Sequence, residues 1–516
     1  MMVSSARIQS RPGLAHRLTR WSLAGLLFAV PLAAEAGDAG KVAPLMRERA
    51  EILSSYGLGT PAPLVRSEEA EPASAAAAGT PARSADPVLQ ASDVRLALTQ
   101  LTLSSGPAGH ETVLSAQPAE GVGAIYVRSG KVTPETLFDL TRDTVMEEVV
   151  TRSEEGVEVR SPVIVLRGAT LSLGPGDELL LDGRHGAFVL SFGDLVAEGA
   201  AITATGSGPD VFRPFVAIAA SGRVVMRGSR LTGLGFEGAT AMAGLSIATG
   251  GIFQPRGASE LTGNTFTDLH GVTVRGADGL HIDENSFVDS RGVALSLKTT
   301  NRVRVVRNLF DGGRGSHALR LAGPSRDVTI RSNAIVSARE HGVRIDDSAM
   351  AVVLRDNVIS ASSGKGLELA QGAACVAVAG NLIRDNGGDG IAASEVGSLI
   401  IAGNAVTGNG GAGISLARQL DGTTALIADN ALARNRSGIR TASTTRLHLA
   451  GNDLSAQLPR IVAGELAPHT PRLLRQARKE AGAHLMVENV AIRSVPTLPS
   501  DGVLRAVAAC KESGSD

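Results

Sequence analysis

The chain has 516 residues, a formal net charge of -1, 61 glycines and only 3% aromatic residues. Near-neutrality argues against a nucleic-acid surface built on bulk positive charge, and the scarcity of Phe, Tyr and Trp argues against a large aromatic globular core. Two cysteines, Cys375 and Cys510, are too few for a disulfide framework.

The N-terminus carries an address. Arg7, Arg11, Arg17 and Arg20 precede the apolar run WSLAGLLFAVPLAA (Trp21 to Ala34), and small residues permit cleavage after Ala36. A basic region, a short apolar run and a small-residue site describe a secretory signal over residues 1–36. The run is shorter than the roughly 20 residues of a membrane span, so an exported periplasmic protein without stable membrane insertion is expected. Residues 37–90 read as a disordered linker. The bias is strongest from Gly57 on, where Ala, Pro, Ser and Glu dominate (GTPAPLVRSEEAEPASAAAAGTPARSADP) and bury little apolar surface. Short alternating segments such as GAIYVRSG then suggest a β-rich cap over 91–160.

From Ser161 a repeat takes over. Asparagine recurs at 264, 285, 308, 333, 357, 381, 404, 430 and 452, with separations of 21 to 26 residues. Between asparagines stand short alternating runs, including HGVTV, RGVALSL, HALRL, HGVRI and KGLEL. Their alternation turns one face inward and one outward. The pattern predicts an all-β right-handed parallel β-helix over 161–460, with coils stacked at roughly 4.8 Å and an inward asparagine ladder satisfying buried backbone groups. The segment ELAPHTPRLLRQARKEAGAHL (Glu465 to Leu485) has helical spacing with a charged face. It predicts a helical cap within a C-terminal cap and tail over 461–516.

Aligning the coils on their small residue gives outward columns. One reads His270, Arg291, His317, His341, Lys365, Asp389; the next reads Thr273, Ala294, Arg320, Arg344, Glu368; a third carries Asp346. Ionisable residues gather in the middle coils. Abstracting the C5 proton of a uronic acid needs a cation on the carboxylate and a base near neutrality. Arg320 or Arg344 fits the first role and His317 or His341 the second, with Asp346 orienting either. Arg291, Lys365 and Glu368 are expected to bind substrate. A solvated face of ordinary cross-strand ion pairs accounts for the same residues. No metal is expected, because Arg291 interrupts the histidine series, and no other cofactor is implied. Glycoside hydrolysis would draw on Asp346, Asp347 and Glu368.

The segments LRGATLSL, GAFVLSFGDLVAEGAAITA and FRPFVAIAASGRVVMRGSRLTGLGF, with Phe212-Arg213-Pro214-Phe215, resemble the periplasmic mannuronan C5-epimerases of alginate biosynthesis. The resemblance runs from about Ser161 to Asn452. It implies a right-handed parallel β-helix, conversion of mannuronate to guluronate within an acidic exopolysaccharide, and a place in an envelope-spanning polysaccharide-secretion complex. The family's Asp-Pro-His-Asp strand is not spelled. ALSL (Ala294 to Leu297), RLAG (Arg320 to Gly323) or RIDD (Arg344 to Asp347) stands in its place, so no catalytic residue carries over. Two expectations follow: an enzyme that epimerises or cleaves an acidic polysaccharide, or a non-catalytic β-helix that binds or guides one.

Overall fold

The computed structural model describes residues 39–58, 86–118, 123–206, 212–249, 255, 257–477, 484–488 and 491–495. Residues 1–36, expected to be a secretory signal, lie outside them. Among the described residues the strands form three long sheets of 15, 15 and 13 strands. From Val163 the chain visits the first, second and third sheet in turn, then rises one coil and pairs in parallel with the strand below. The expected parallel β-helix is therefore the architecture.

Alternation explains why these sequences coil. In the first sheet Val272, Leu295, Leu319, Val343, Leu367 and Ile391 lie directly above one another. All are buried in the solenoid core. In the third sheet Phe266, Phe287 and Phe310 stack inside with ring centroids 5.0 and 4.6 Å apart, the spacing of the coils themselves.

The asparagine ladder is unbroken from Asn264 to Asn452. At each coil the side-chain oxygen accepts from the backbone N–H and the amide NH2 of the asparagine below, as Asn357 does from Asn333 at 2.9 and 3.0 Å. Its own amide donates to Ile330 O and to Asn381 Oδ1 at 2.9 Å. The residue before every ladder asparagine bends left-handed, with φ of +52° to +66°; Gly fills it at 263, 380, 403 and 451, where a Cβ would be strained. A second, shorter ladder that the asparagine count missed runs from Ser362 through Asn386, Asn409 and Asn435 to Gln457.

Three expectations at the ends need correction. Residues Ala39–Ser55, assigned to the linker, form helix α1. Its Val42 packs on Leu309 and Ala334, and its Leu53 on Val358, Leu382 and Ala405, so outer residues of the third sheet supply the burial its own composition lacks. Arg49 Nε donates to Gly380 O at 2.7 Å, and Arg384 pairs with Glu48 at 2.8 Å. Linker residues 59–85 lie outside the described set. The cap over 91–160 is less β-rich than expected. It includes α2 (Val94–Ser105), α3 (His110–Ser115) and α4 (Pro134–Thr141). At the other end the helix is short, α5 (Thr470–Ala477), and the second sheet is closed by an antiparallel hairpin, His484–Glu488 with Ala491–Val495, added to Arg446–Ala450. The hairpin supplies hydrogen bonds that an eight-residue helix cannot give to a sheet edge. Cys375 is buried and disulfide-bonded; Cys510 lies outside the described residues.

The outward column of the first sheet begins Tyr126, Ile164, Leu190, Ala217. These, with Phe188, Phe192, Phe212 and Phe215, are buried in one cluster with Val94, Ala97, Leu98 and Leu101 of α2. From Ser246 onward the same column is mostly polar.

Replacing Asn357 with Leu strands the Asn333 N–H and Ile330 C=O in the core. We expect a loss of about 3 kcal/mol, at one to three per orphaned buried group. A lowered urea midpoint at unchanged slope checks it; an unchanged midpoint would contradict the ladder's stabilising role.

Candidate functional site

Below the helical cap the outward column reads Thr273, Ser296, Arg320, Arg344, Glu368, Ala392, Ser415, Arg440, each directly paired with the next. Its neighbour carries His317 opposite His341. The structure thus brings together His317, His341, Arg320, Arg344, Asp346, Lys365 and Glu368 on one face.

Arg291 does not join them. Its coil is out of phase: Leu295 sits opposite Leu319, so the partner of His317 is Val293, and Ser296 rather than Ala294 meets Arg320. Gly292 imitates the small residue that precedes the inward position in other coils, which shifted the alignment by two. The Arg291 guanidinium instead donates to Leu234 O at 2.8 Å, Gly235 O at 2.9 Å and Asp268 O at 3.1 Å.

Asp346 is the buried hub, with a fully inaccessible side chain. Arg344 donates Nε to it at 2.5 Å, and Arg320 donates Nη2 at 3.2 Å. One coil on, Glu368 lies 2.8 Å from Arg344 Nη1, and Lys365 Nζ donates to it at 2.5 Å. Burial alone would raise the Glu368 carboxyl; the Lys365 ammonium, helped by His341 and Arg344, holds it below the usual carboxylate range. Burial opposes the charge on Arg344, yet its acidic neighbours raise it further. The cross-strand ion pairs expected of a charged sheet face are therefore present, though Asp346 is not solvated.

The histidines are less free than the sequence suggests. Their rings stack, with centroids 5.1 Å apart and planes 15° from parallel. Nδ1 of His341 accepts the Lys365 backbone N–H at 3.1 Å, and Nε2 faces Glu368 Oε2 at 3.4 Å. A neutral ring that accepts at Nδ1 carries its proton on Nε2. No lone pair of His341 then remains for a base to use. His317 is 8% exposed, and its Nδ1 is buried without a hydrogen bond, 3.8 Å from Glu340. Burial first, then His341 and Arg344, pushes His317 down to about 4. Burial also lowers His341.

Beyond Glu368 the face opens into a cavity of about 410 Å3. Arg344, Lys365 and Glu368 stand at one end, Arg440 at the other, and Ala370, Ala392, Ser394 and Ser415 line the space between. Arg440 is half-exposed, donating to Asp389 Oδ2 at 2.7 Å and Ser415 Oγ at 3.1 Å. Asp389 stands in an aligned column of the sequence and Arg440 continues the Arg320 column in the structure, but only the cavity singles them out. The arrangement offers guanidinium donors at both ends of a floor of small residues, edged by Gln371, Asp389, Glu395 and Arg418.

A model of the right-handed β-helix region matches residues 245–383 and, overlapping, 317–457. Among solved structures the chain is similar to the periplasmic alginate epimerase AlgG, with 15% identity, 74% of this chain and 93% of that chain covered, and a TM-score of 0.60. A doubly substituted form of that enzyme superposes at 0.64, again with 15% identity, over 71% of this chain and 94% of that one. These likenesses show a shared fold. No curated protein matches the chain by sequence. Among the described residues no helix is long and apolar enough to cross a membrane.

The histidines make stability depend on pH. Below pH 6.5 the unfolded chain protonates His317 while the folded ring, at about 4, stays neutral. The contribution is complete above 6.5 and drains as pH falls towards 4; Glu368, also lowered, acts lower still. Replacing His317 with Gln should flatten the fall of the urea midpoint over this window. An identical fall in parent and variant would contradict the burial of a neutral ring.

Proposed function

We propose that this chain binds an acidic polysaccharide along the uncovered half of its first sheet and leaves the polymer chemically unchanged. The observation that carries the reading is the outward column itself. Arg320, Arg344 and Arg440 flank a floor of Ala392 and Ser415, and the coil rise sets Arg344 and Arg440 roughly 19 Å apart, four steps of about 4.8 Å. Such spacing suits an extended polymer with a carboxylate on each sugar, running parallel to the solenoid axis. Charge-assisted bonds to carboxylates supply the affinity that stacking aromatics supply elsewhere.

The fold shared with a periplasmic alginate epimerase supports a uronate polymer as ligand and the periplasm as location. Neither histidine is well placed as the base of an epimerisation: His341 already accepts the Lys365 backbone N–H at Nδ1, and His317 is buried with its basicity lowered. Arg291, held by backbone carbonyls, plays no part in this groove. The guide reading is therefore favoured over the enzyme, and an envelope polysaccharide-secretion complex is the setting it suits.

Arg320 and Arg440 are half-exposed, and replacing both with Gln leaves Asp346 paired to Arg344. Polymannuronate binding at low salt should weaken at least tenfold, and its sensitivity to added salt should fall. Unchanged binding would leave the face a solvated surface. In D2O the parent should place no deuterium at C5 of the polymer; incorporation would restore the enzyme. In cell fractionation the mature chain should begin near Gly37 and appear in the periplasm, whereas full-length protein resisting carbonate washing would indicate a membrane anchor.

A further inference from the structure

Arg213, Arg291 and Arg314 come from three separate segments and converge on one carboxylate, Asp268. Arg213 Nη1 lies 3.2 Å from Oδ2, while Arg314 Nη2 at 2.6 Å and Arg291 Nε at 3.3 Å share Oδ1. Among the described residues no other carboxylate lies within ion-pair distance of the three. Arg339 adds a fourth guanidinium alongside, donating Nη1 to Arg314 O at 2.9 Å. The exposed Glu237 and Glu340 act on His270 and His317 instead.

The group is built rather than incidental. Arg291 cannot swing away, because it is only 17% exposed and donates to the carbonyls of Leu234, Gly235 and Asp268. Burial first, then the like charges of Arg213 and Arg314 against the pull of Asp268, lowers it to about 10. Arg213 is aimed from the FRPF stretch, where Phe212 and Phe215 are both buried and Phe215 stacks on Phe188 at 4.6 Å. Arg213 and Arg314 remain 48% and 67% exposed, so their unused N–H groups face solvent. Three cations around one anion repel each other unless a second anion joins them.

We propose that this corner, where the third sheet turns into the first, is a second anion subsite, taking a carboxylate of the same acidic polysaccharide between Arg213 and Arg314. The assignment rests on the polymer-binding reading above and adds a contact outside the groove. Arg314 lies three residues before His317, so the subsite borders the same face. Asp268 sets the spacing of the two exposed guanidiniums and Arg291 anchors Asp268, leaving a forked pair of donors of the kind that grips a planar carboxylate.

Phenylglyoxal labelling with peptide mass analysis reads each arginine separately in the intact protein. Polymannuronate should slow labelling of Arg213 and Arg314 several-fold, while Arg302, exposed and paired to Asp278, labels at its original rate. Protection of Arg320 without protection of Arg213 and Arg314 would overturn the corner subsite and leave the groove standing. Protection of the corner pair alone would retain the subsite and remove the groove, and protection of none would remove both. As a second measurement, Arg213→Gln with Arg314→Gln should weaken polymannuronate binding about tenfold at low salt. Equal affinity would overturn the subsite even if labelling is slowed.

Discussion

The register of the coils is the constraint on which the rest depends, and the asparagine ladder fixes it. Each ladder side chain bonds both the backbone and the side chain of its neighbour, so a coil cannot slip without orphaning buried polar groups at two levels. A locked register turns sequence position into vertical alignment. Only then do residues two dozen apart, such as Arg320 and Arg344, become adjacent. The same lock lets one buried carboxylate, Asp346, serve guanidiniums from two different coils. It also lets coils of unequal length coexist, since the extra residues are absorbed at corners rather than in the sheets.

How far this was legible in the sequence follows from the same logic. The main ladder was legible because one residue type recurs at one place per coil. The second ladder starts on Ser362 and ends on Gln457, so counting asparagines does not find it, although Asn386, Asn409 and Asn435 each follow a main-ladder asparagine by five residues. The charged columns were legible from His317 downwards and failed at Arg291, where Gly292 offers a false phase. The role of His341 was not legible at all. Which of its nitrogens accepts is decided by the Lys365 backbone N–H, a partner set by stacking rather than by side-chain identity. Helix α1 was missed for a related reason, since its contacts lie hundreds of residues away, those of Arg49 to Gly380 and Asp356 more than 300.

The two cationic regions differ in how their charge is balanced. In the groove, Arg320, Arg344 and Lys365 meet Asp346 and Glu368 three to two, so most of the positive charge is paired and the excess is small. At the corner, three arginines share a single aspartate. The first arrangement offers directional donors with little long-range field, and the second offers excess field. A polymer sensing both would be drawn by the corner and aligned by the column. The helical cap contributes by covering the first coils of the same sheet with aromatic packing, so a ligand has one end of the face to use.

Helix α1 bears on the order in which the molecule comes together. It lies close to the N-terminus, yet its seat is made of Leu309, Ala334, Val358, Leu382 and Ala405, five successive coils of the third sheet. A growing or translocating chain presents the helix long before that seat exists. Solenoid coils contact only their neighbours, and the full seat of α1 exists only once the coil bearing Ala405 has stacked. Its arrival then fastens five coils with one element, closing a loop that no neighbouring contact spans. The helix is early sequence that ties together five coils formed much later along the chain.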